Sequence, residues 1–332
     1  MSDLKNMKET KLERAVIEIF GGCNYSCPMC PQSGDGRGSN WTRMMPLKTF
    51  TKILDEITPK YGKPIINLEG SGEATLNKYL PQYIQACTDR GLQSFMYTNG
   101  SRFTGKLMRD AIDAGLSFVR FSCIGYNQEL YKEWMSKDNF ELLKKNVKET
   151  QNYIKESGSY CQVSSYHLII DNENIDYEVE QYRKSFIDEL GTIGYIWKMH
   201  NWSGNYDPSY GRTGKVKKTC GRPFAPEITI RAGGLDGKHA AVTPCCQTMG
   251  PPNEDKSVLG HLDDSTFEDV YWGEKYEELR KLHKEEKFDE IDYCKNCDFL
   301  VTEPEVLVWS NDPEAKINRM LGTNFSLDDY QK

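Results

Sequence analysis

Short β-rich runs recur along the chain at helix-length intervals. They are RAVIEIF (14–20), PIINLEG (64–70), LQSFMYT (92–98), SFVRFSC (117–123), CQVSSYHLII (161–170) and IGYIWKM (193–199). The stretches between them carry helical spacing. PLKTFTKILDEI (46–57) sets Phe50, Ile53, Leu54 and Ile57 on one face. NKYLPQYIQACTDRG (77–91) and RFTGKLMRDAIDAG (102–115) each finish on a capping glycine. NFELLKKNVKETQNYIKES (139–157) and IDYEVEQYRKSFIDELG (175–191) complete the series. Strands alternating with helices in this way predict a parallel sheet built of βαβ units.

The polar positions decide between an open sheet and a curled one. Glu18, Asn67, Glu69, Arg120, Ser122, Gln162 and Ser164 fall at alternate positions of strands that are otherwise apolar. Parallel strands covered on both faces read as almost wholly apolar. The alternation therefore predicts a wet, ligand-holding lumen. The fold class is α/β, a partial (β/α)6 TIM-like barrel, with Glu18, Arg120, Tyr166, Lys198 and His200 able to meet a polar substrate.

Past residue 200 the pattern changes. HNWSGNYDPSYGRTGK is turn-rich, EITIRAGGLDGKHAAVTPC reads as a β-hairpin, and STFEDVYWGEKYEELRKLHKEE (265–286) as an amphipathic helix. The expected division is a barrel over 1–205, a small hairpin-plus-helix domain over 206–300, and a weakly patterned tail over 301–332.

Composition narrows the chemistry. The 332 residues include 42 basic and 49 acidic side chains, a formal charge of -7. That balance argues against a nucleic-acid partner. The polar start MSDLKNMKETKLER has no apolar signal region, and no run is long and apolar enough to span a membrane. A cytoplasmic, reducing setting is the expectation, where disulfides explain eleven cysteines poorly. Metal or cluster ligation becomes the leading alternative.

GGCNYSCPMCPQSG (21–34) places Cys23, Cys27 and Cys30 in one loop at the C-terminal end of the first strand, the end at which α/β folds bind ligands. Zinc would require a fourth nearby ligand. A cubane iron–sulfur cluster held by three thiolates keeps one iron open for a small molecule. A zinc or disulfide loop remains the plainer alternative.

CNYSCPMC resembles the cluster loop of radical S-adenosylmethionine (SAM) enzymes, and the resemblance runs on through most of the chain. LEGSGEATL (68–76) is similar to the glycine motif of that family's second strand, with Gly70, Gly72 and Glu73 in it and Ala74 where proline is usual. YTNGS (97–101) resembles the third-strand Thr-Asn-Gly, giving Thr98 and Asn99. FSCIG puts Ser122 at a ribose or carboxylate contact. Asn172 is a weaker ribose contact, and Met29 stands where an aromatic residue often meets adenine. The resemblance implies SAM bound at the open iron and split to a 5'-deoxyadenosyl radical.

A second cysteine set lies beyond the barrel: Cys220, the Cys245–Cys246 pair, and Cys294-x-x-Cys297. One thiol from each place, with both of the last pair, closes a four-ligand site. A zinc-ribbon-like site is the alternative. TCGRPF, TPCCQ and CKNC in this order resemble the auxiliary-cluster domain called SPASM in its shortened twitch form, which implies one auxiliary 4Fe–4S cluster and two clusters in all. Cys245 is favoured as ligand, leaving Cys246 beside the cluster. Some relatives have a proton-accepting acid near that position, and a thiol there leaves the base unassigned; Cys246 and His200 stand as the candidate catalytic groups.

The resemblance implies hydrogen abstraction followed by oxidation or rearrangement of a ribosomally made peptide or protein. The alternatives are dehydrogenation of a small-molecule alcohol such as an aminocyclitol or sugar, and a non-catalytic iron–sulfur or zinc protein. A flavodoxin or ferredoxin is implied as electron donor. A separate leader-peptide-binding protein is expected for a peptide substrate, because the first strand begins near residue 14.

Overall fold

A computed structural model of the chain describes residues 11–33, 43–171, 173–206, 219–233, 237–248, 256–300 and 309–310. Strand β1 (Arg14–Ile17) leads through the cysteine loop to helix α1 (Leu47–Tyr61), then β2 (Ile65–Asn67), α2 (Leu80–Thr88), β3 (Ser94–Thr98) and α3 (Gly105–Asp113). β4 (Phe118–Ser122), α4 (Gln128–Met135), α5 (Phe140–Ser157), β5 (Gln162–Ile169), α6 (Ile175–Tyr182) and β6 (Ile193–Lys198) follow. The six strands pair in sequence order, each parallel to the next.

The helices form the outer layer. α1 buries Phe50, Ile53, Leu54 and Ile57, the face its spacing predicts. α1 packs on α2, α2 on α3, and α3 on α5. This arrangement bears out the partial barrel.

A six-stranded parallel sheet has two open edges, and an edge strand carries unpaired backbone groups. The later part of the chain covers both. β10 (Trp309–Ser310) pairs antiparallel with β6. β7 (Glu227–Gly233) pairs parallel with β1, setting Arg14 opposite Glu227 and Ile17 opposite Ile230. β8 (His239–Thr243) and β9 (Gly260–His261) continue outward in antiparallel fashion. The hairpin expected after the barrel is present, and it extends the barrel's own sheet.

Two differences from the sequence reading have local causes. The pattern over 265–286 is two helices, α7 (Phe267–Tyr271) and α8 (Glu274–Lys284), separated at Trp272–Gly273. Thr266 and Asp269 form a capping box that starts α7. The second difference is α4, which the sequence reading does not contain. It is eight residues long and buries only Tyr131 and Met135, too short a stripe for periodicity to register.

The α7 region is strapped to the barrel wall. Trp272 Nε1–H donates to the Tyr61 hydroxyl at 3.0 Å, Phe267 N–H donates to Glu56 at 2.7 Å, and Lys52 donates to the Leu262 carbonyl at 2.9 Å. Arg280 of α8 is fully buried among Tyr271, Trp272 and Tyr276 and donates to the carbonyls of Pro223 and Tyr271. It thereby fixes the segment that carries Cys220.

Candidate active site

The cysteine loop is held from all sides by short-range hydrogen bonds. Tyr25 N–H donates to Cys23 Sγ at 3.4 Å. Ser26 N–H donates to Ser136 Oγ at 2.7 Å, and Asn139 donates to the Tyr25 hydroxyl at 2.9 Å. Ser136 is the left-handed residue that ends α4, so the helix missing from the sequence reading is a support of this loop. Gln32 donates to the Gly21 carbonyl and, at 2.9 Å, to Ser71 Oγ.

The strand-end motifs lock onto the loop and onto each other. Asn99 Nδ2 donates to Asn24 Oδ1 at 2.9 Å and lies 4.0 Å from Cys23 Sγ. The Glu73 carboxylate accepts from Thr75 Oγ1 at 2.6 Å, Thr98 Oγ1 at 2.8 Å and Asn99 N–H at 2.7 Å, while Glu73 N–H donates to the Gly22 carbonyl at 2.7 Å. Thr98, Asn99 and Glu73 thus bind one another and the loop, which is a framework role. Glu18 behaves alike. Its carboxylate accepts from Ser71 N–H at 2.7 Å, Gly72 N–H at 3.2 Å and Ala232 N–H at 3.0 Å. It is buried, and it holds the glycine loop and β7 instead of meeting a substrate as expected.

The two motif glycines leave room that no other residue would. A Cβ on Gly72 would lie 2.0 Å from the Phe20 carbonyl oxygen, and one on Gly70 2.3 Å from Glu18 Oε1. The chain therefore passes flat beside the cysteine loop.

These elements border a cavity of about 310 Å³ whose lining includes Cys23, Cys27, Cys30 and Cys246. Met29, Gly70, Gly72, Glu73, Thr98, Asn99, Ser122 and His200 also reach its wall. Asn172 and the Lys198 side chain lie outside the described residues. Among the described residues the eleven cysteines form no disulfide. Burial pushes the Cys23 thiol up to about 12, with Glu73 adding to it, and raises Cys27 and Cys30. Thiols this dry ionise when a cation replaces the lost water.

The lumen floor is ionic with aromatic walls. Arg120 lies 3.7 Å above the Tyr195 ring, with Nη1–H donating to the Tyr97 hydroxyl at 3.0 Å and Nε–H to Ser164 Oγ at 3.1 Å. Tyr97, Tyr166 and Trp197 meet edge to face. Glu69 opens partly on the cavity. It accepts from Asn67 Nδ2 at 3.0 Å on one oxygen and from Tyr97 N–H at 3.1 Å on the other. Burial raises its carboxyl to about 7, against the opposing pull of Asn67, Arg14 and Arg120. The sequence marks Glu69 as a lumen residue but not as a titrating one. That property comes from desolvation, which only the fold supplies.

The second thiol set assembles behind this cavity. Cys294 is raised well above the ordinary thiol range by burial and then by the neighbouring thiols of Cys220, Cys297 and Cys245. Cys220 and Cys297 pack in one apolar cluster with Phe288, Phe299 and Leu300, with Cys294 against it. Cys246 looks the other way. Arg222 Nη1–H donates to its sulfur at 3.4 Å, and it faces Glu227, Glu69 and Arg14 through the cavity. Arg222 also pairs with Glu227 at 3.5 Å, and Glu227 with Arg14 at 3.9 Å. The position of Arg222 two residues after Cys220 in TCGRPF is the one sequence signal that could have pointed to it. His200 is buried between Trp202 at 4.0 Å and Phe299 at 5.6 Å between ring centres.

The family model of the Radical SAM superfamily matches residues 17–183. SPASM, an iron-sulfur cluster-binding domain, matches residues 235–298. An uncharacterised protein of Methanocaldococcus jannaschii is 25% identical over 52% of this chain and 54% of its own, so the chain spans about half of that relative's length. The tungsten-containing aldehyde ferredoxin oxidoreductase cofactor-modifying protein of Pyrococcus furiosus is 22% identical over 90% of this chain and 92% of its own. BtrN in complex with AdoMet and 2-DOIA shares the fold with a TM-score of 0.56 at 17% identity, over 87% of this chain and 94% of that chain. Streptococcus suis SuiB bound to precursor peptide SuiA does so with a TM-score of 0.57 at 13% identity, over 84% and 69%. Both matched regions contribute to the cavity lining, one supplying the cysteine loop and the other Cys246.

Proposed function

The chain belongs to the radical SAM superfamily, and from that premise we propose that Cys23, Cys27 and Cys30 hold a 4Fe–4S cluster whose open iron receives SAM. The protein is an enzyme of the radical SAM oxidoreductase or maturase type, and SAM and 4Fe–4S clusters are its cofactors. The donor chemistry suits such a cluster: Cys23, Cys27 and Cys30 form no disulfide and line one cavity, and Gly70 and Gly72 line it without side chains. A cluster held by Cys23, Cys27 and Cys30 would supply the electron for reductive cleavage of SAM.

The remaining roles fall to the chain's own residues. Gly70 and Gly72 admit the SAM amino acid end, and Met29 and Ser122 line its path. Asn172 remains a proposed ribose contact on sequence grounds. Glu73, Thr98 and Asn99 hold the loop in register. Cys220, Cys245, Cys294 and Cys297 bind one auxiliary cluster, leaving Cys246 exposed to the cavity beside it. Residues 1–205 and 206–300 serve as the SAM-binding and auxiliary-cluster units.

The single observation that carries this reading is the shared cavity, lined both by the three-thiol loop and by Cys246, which is next to Cys245. A substrate between them lies within reach of both. Glu69 is better placed than His200 or Cys246 to accept a proton from it. Its two oxygens are fixed, it opens on the cavity, and its value near 7 suits proton acceptance. We propose hydrogen abstraction followed by oxidation or rearrangement of a group on a ribosomally made peptide or protein. The reading includes a separate leader-binding protein, a flavodoxin or ferredoxin donor and a cytoplasmic setting. Among the described residues no helix is long and apolar enough to cross a membrane.

A second reading, a compact polar small molecule such as an alcohol of a cyclitol or sugar, is supported by the charged side chains of Arg14, Glu69, Arg120, Arg222 and Glu227 that line the cavity. The relatives named for 2-DOIA binding and for cofactor modification support it. The common test is anaerobic reconstitution with reductant and SAM. The expected result is 5'-deoxyadenosine and about eight irons per chain. No 5'-deoxyadenosine would refute both readings. Deuterium carried into 5'-deoxyadenosine from a labelled precursor peptide or a labelled cyclitol decides between them.

A further inference from the structure

Thr219, His283 and Cys294 form a hydrogen-bonded line through the buried floor of the second thiol site. His283 comes from α8 and is fully buried. Its ring stands edge to face with Phe288 at 5.1 Å and Phe224 at 6.5 Å. Nδ1 lies 2.9 Å from Thr219 Oγ1, and Nε2 lies 3.7 Å from Cys294 Sγ.

The line has a direction. Thr219 Oγ1 accepts the N–H of Gly221 at 3.0 Å. The hydroxyl has one hydrogen to give, and the histidine nitrogen beside it is a good acceptor. An accepting Nδ1 places the ring proton on Nε2. That N–H then points at the Cys294 sulfur, within reach for a bond to sulfur.

We propose that His283 is a positioning residue for the auxiliary cluster, donating Nε2–H to the Cys294 sulfur and so raising the cluster's reduction potential, with Thr219 fixing the tautomer. A donor on a ligand sulfur draws electron density from the iron–sulfur bond and favours the reduced cluster. Thr219 and Cys294 belong to separate segments of the site. The same line therefore also holds the Cys220 and Cys294 arms together. This inference rests on the proposed ligation by Cys220, Cys245, Cys294 and Cys297.

The test is an EPR-monitored redox titration of the full-length reconstituted enzyme, wild type against His283→Leu, Thr219→Val and His283→Gln, with iron counted in each. The two clusters are told apart because SAM perturbs only the signal of the cysteine-loop cluster. In His283→Leu the auxiliary midpoint potential is expected to move to more negative values while the other stays in place. Thr219→Val should move it the same way by less. His283→Gln, whose amide can still donate, should restore part of the shift. An unchanged auxiliary potential in His283→Leu at full iron content overturns the inference. If that variant loses iron, an unchanged auxiliary potential in Thr219→Val at full iron content overturns it. A wild-type enzyme with no second cluster refutes the ligand assignment itself, and the inference with it.

Discussion

Asn99 donates its side-chain N–H to Asn24 Oδ1 at 2.9 Å, joining the end of β3 to the cysteine loop. The same side chain accepts from Ser101 N–H at 3.0 Å and Ser101 Oγ–H at 2.7 Å. Replacing Asn99 by Ala removes these bonds together. A loss of about 1–3 kcal/mol is expected from buried groups left unpaired, with a lower Tm. Iron content should fall on the cysteine-loop side, read as loss of the SAM-responsive EPR signal.

Gly72 has no space for a side chain. Gly72→Ala forces its Cβ against the Phe20 carbonyl, where the distance would be 2.0 Å. Overpacking of this kind costs about 1–3 kcal/mol, and here the strain falls on the backbone that precedes the cysteines. The variant should bind SAM at least tenfold more weakly in equilibrium binding while retaining the auxiliary cluster. Unchanged binding would show that the flat passage serves packing alone.

Much of this arrangement is legible in the sequence, and the remainder is missing for physical reasons. Alternating Asn67 and Glu69 at and just past the end of β2, and Arg120 and Ser122 on β4, announce a wet lumen because strand side chains alternate with period two. The amphipathic α1 face is equally plain. Glu18 also alternates, yet its partners Ser71, Gly72 and Ala232 are 53 to 214 residues away, so its framework role is invisible locally. The parallel pairing of β7 with β1 is non-local in the same sense. α4 is hidden because its significance lies in Ser136, a capping residue that touches the loop at Ser26. Cys245 and Cys246 are adjacent in sequence, and only the fold sets Cys245 beside Cys294 while Cys246 accepts from Arg222 and lines the cavity.

That divergence separates the two cysteines experimentally. Cys245→Ser should lower iron by about four atoms per chain, the content of one cubane. Cys246→Ser should keep the iron and alter turnover of a bound substrate. The reverse pattern in iron analysis would exchange their roles. Cys294→Ala with Cys297→Ala should behave like Cys245→Ser, sparing part of SAM cleavage while oxidised product is lost.

Glu69 makes stability depend on pH. Burial raises its carboxyl from the ordinary 4.5 to about 7. The fold thus favours the uncharged form. Its contribution is fully present below the ordinary value and is lost as pH rises through about 7. Glu69→Gln stays neutral throughout. Between about pH 5 and about pH 8, the wild-type Tm should fall further than that of the variant. Equal falls in thermal unfolding at the two pH values would remove the basis for Glu69 as a proton acceptor.

Arg280 tests the coupling of α8 to the Cys220 segment. It donates to the Pro223 carbonyl at 3.0 Å and to Glu277 at 2.7 Å. Arg280→Met retains apolar volume among the aromatic rings but leaves those acceptors unfilled. A destabilisation of about 1–3 kcal/mol is expected, with iron lost from the auxiliary side only. Iron analysis together with the EPR signal of each cluster reads this directly.

The most direct measurement is the EPR spectrum of the reduced, anaerobically reconstituted enzyme before and after SAM is added. SAM is expected to change the signal, and that response is expected to vanish when Cys23, Cys27 and Cys30 are replaced by Ala. A spectrum indifferent to SAM in the intact enzyme would contradict this expectation.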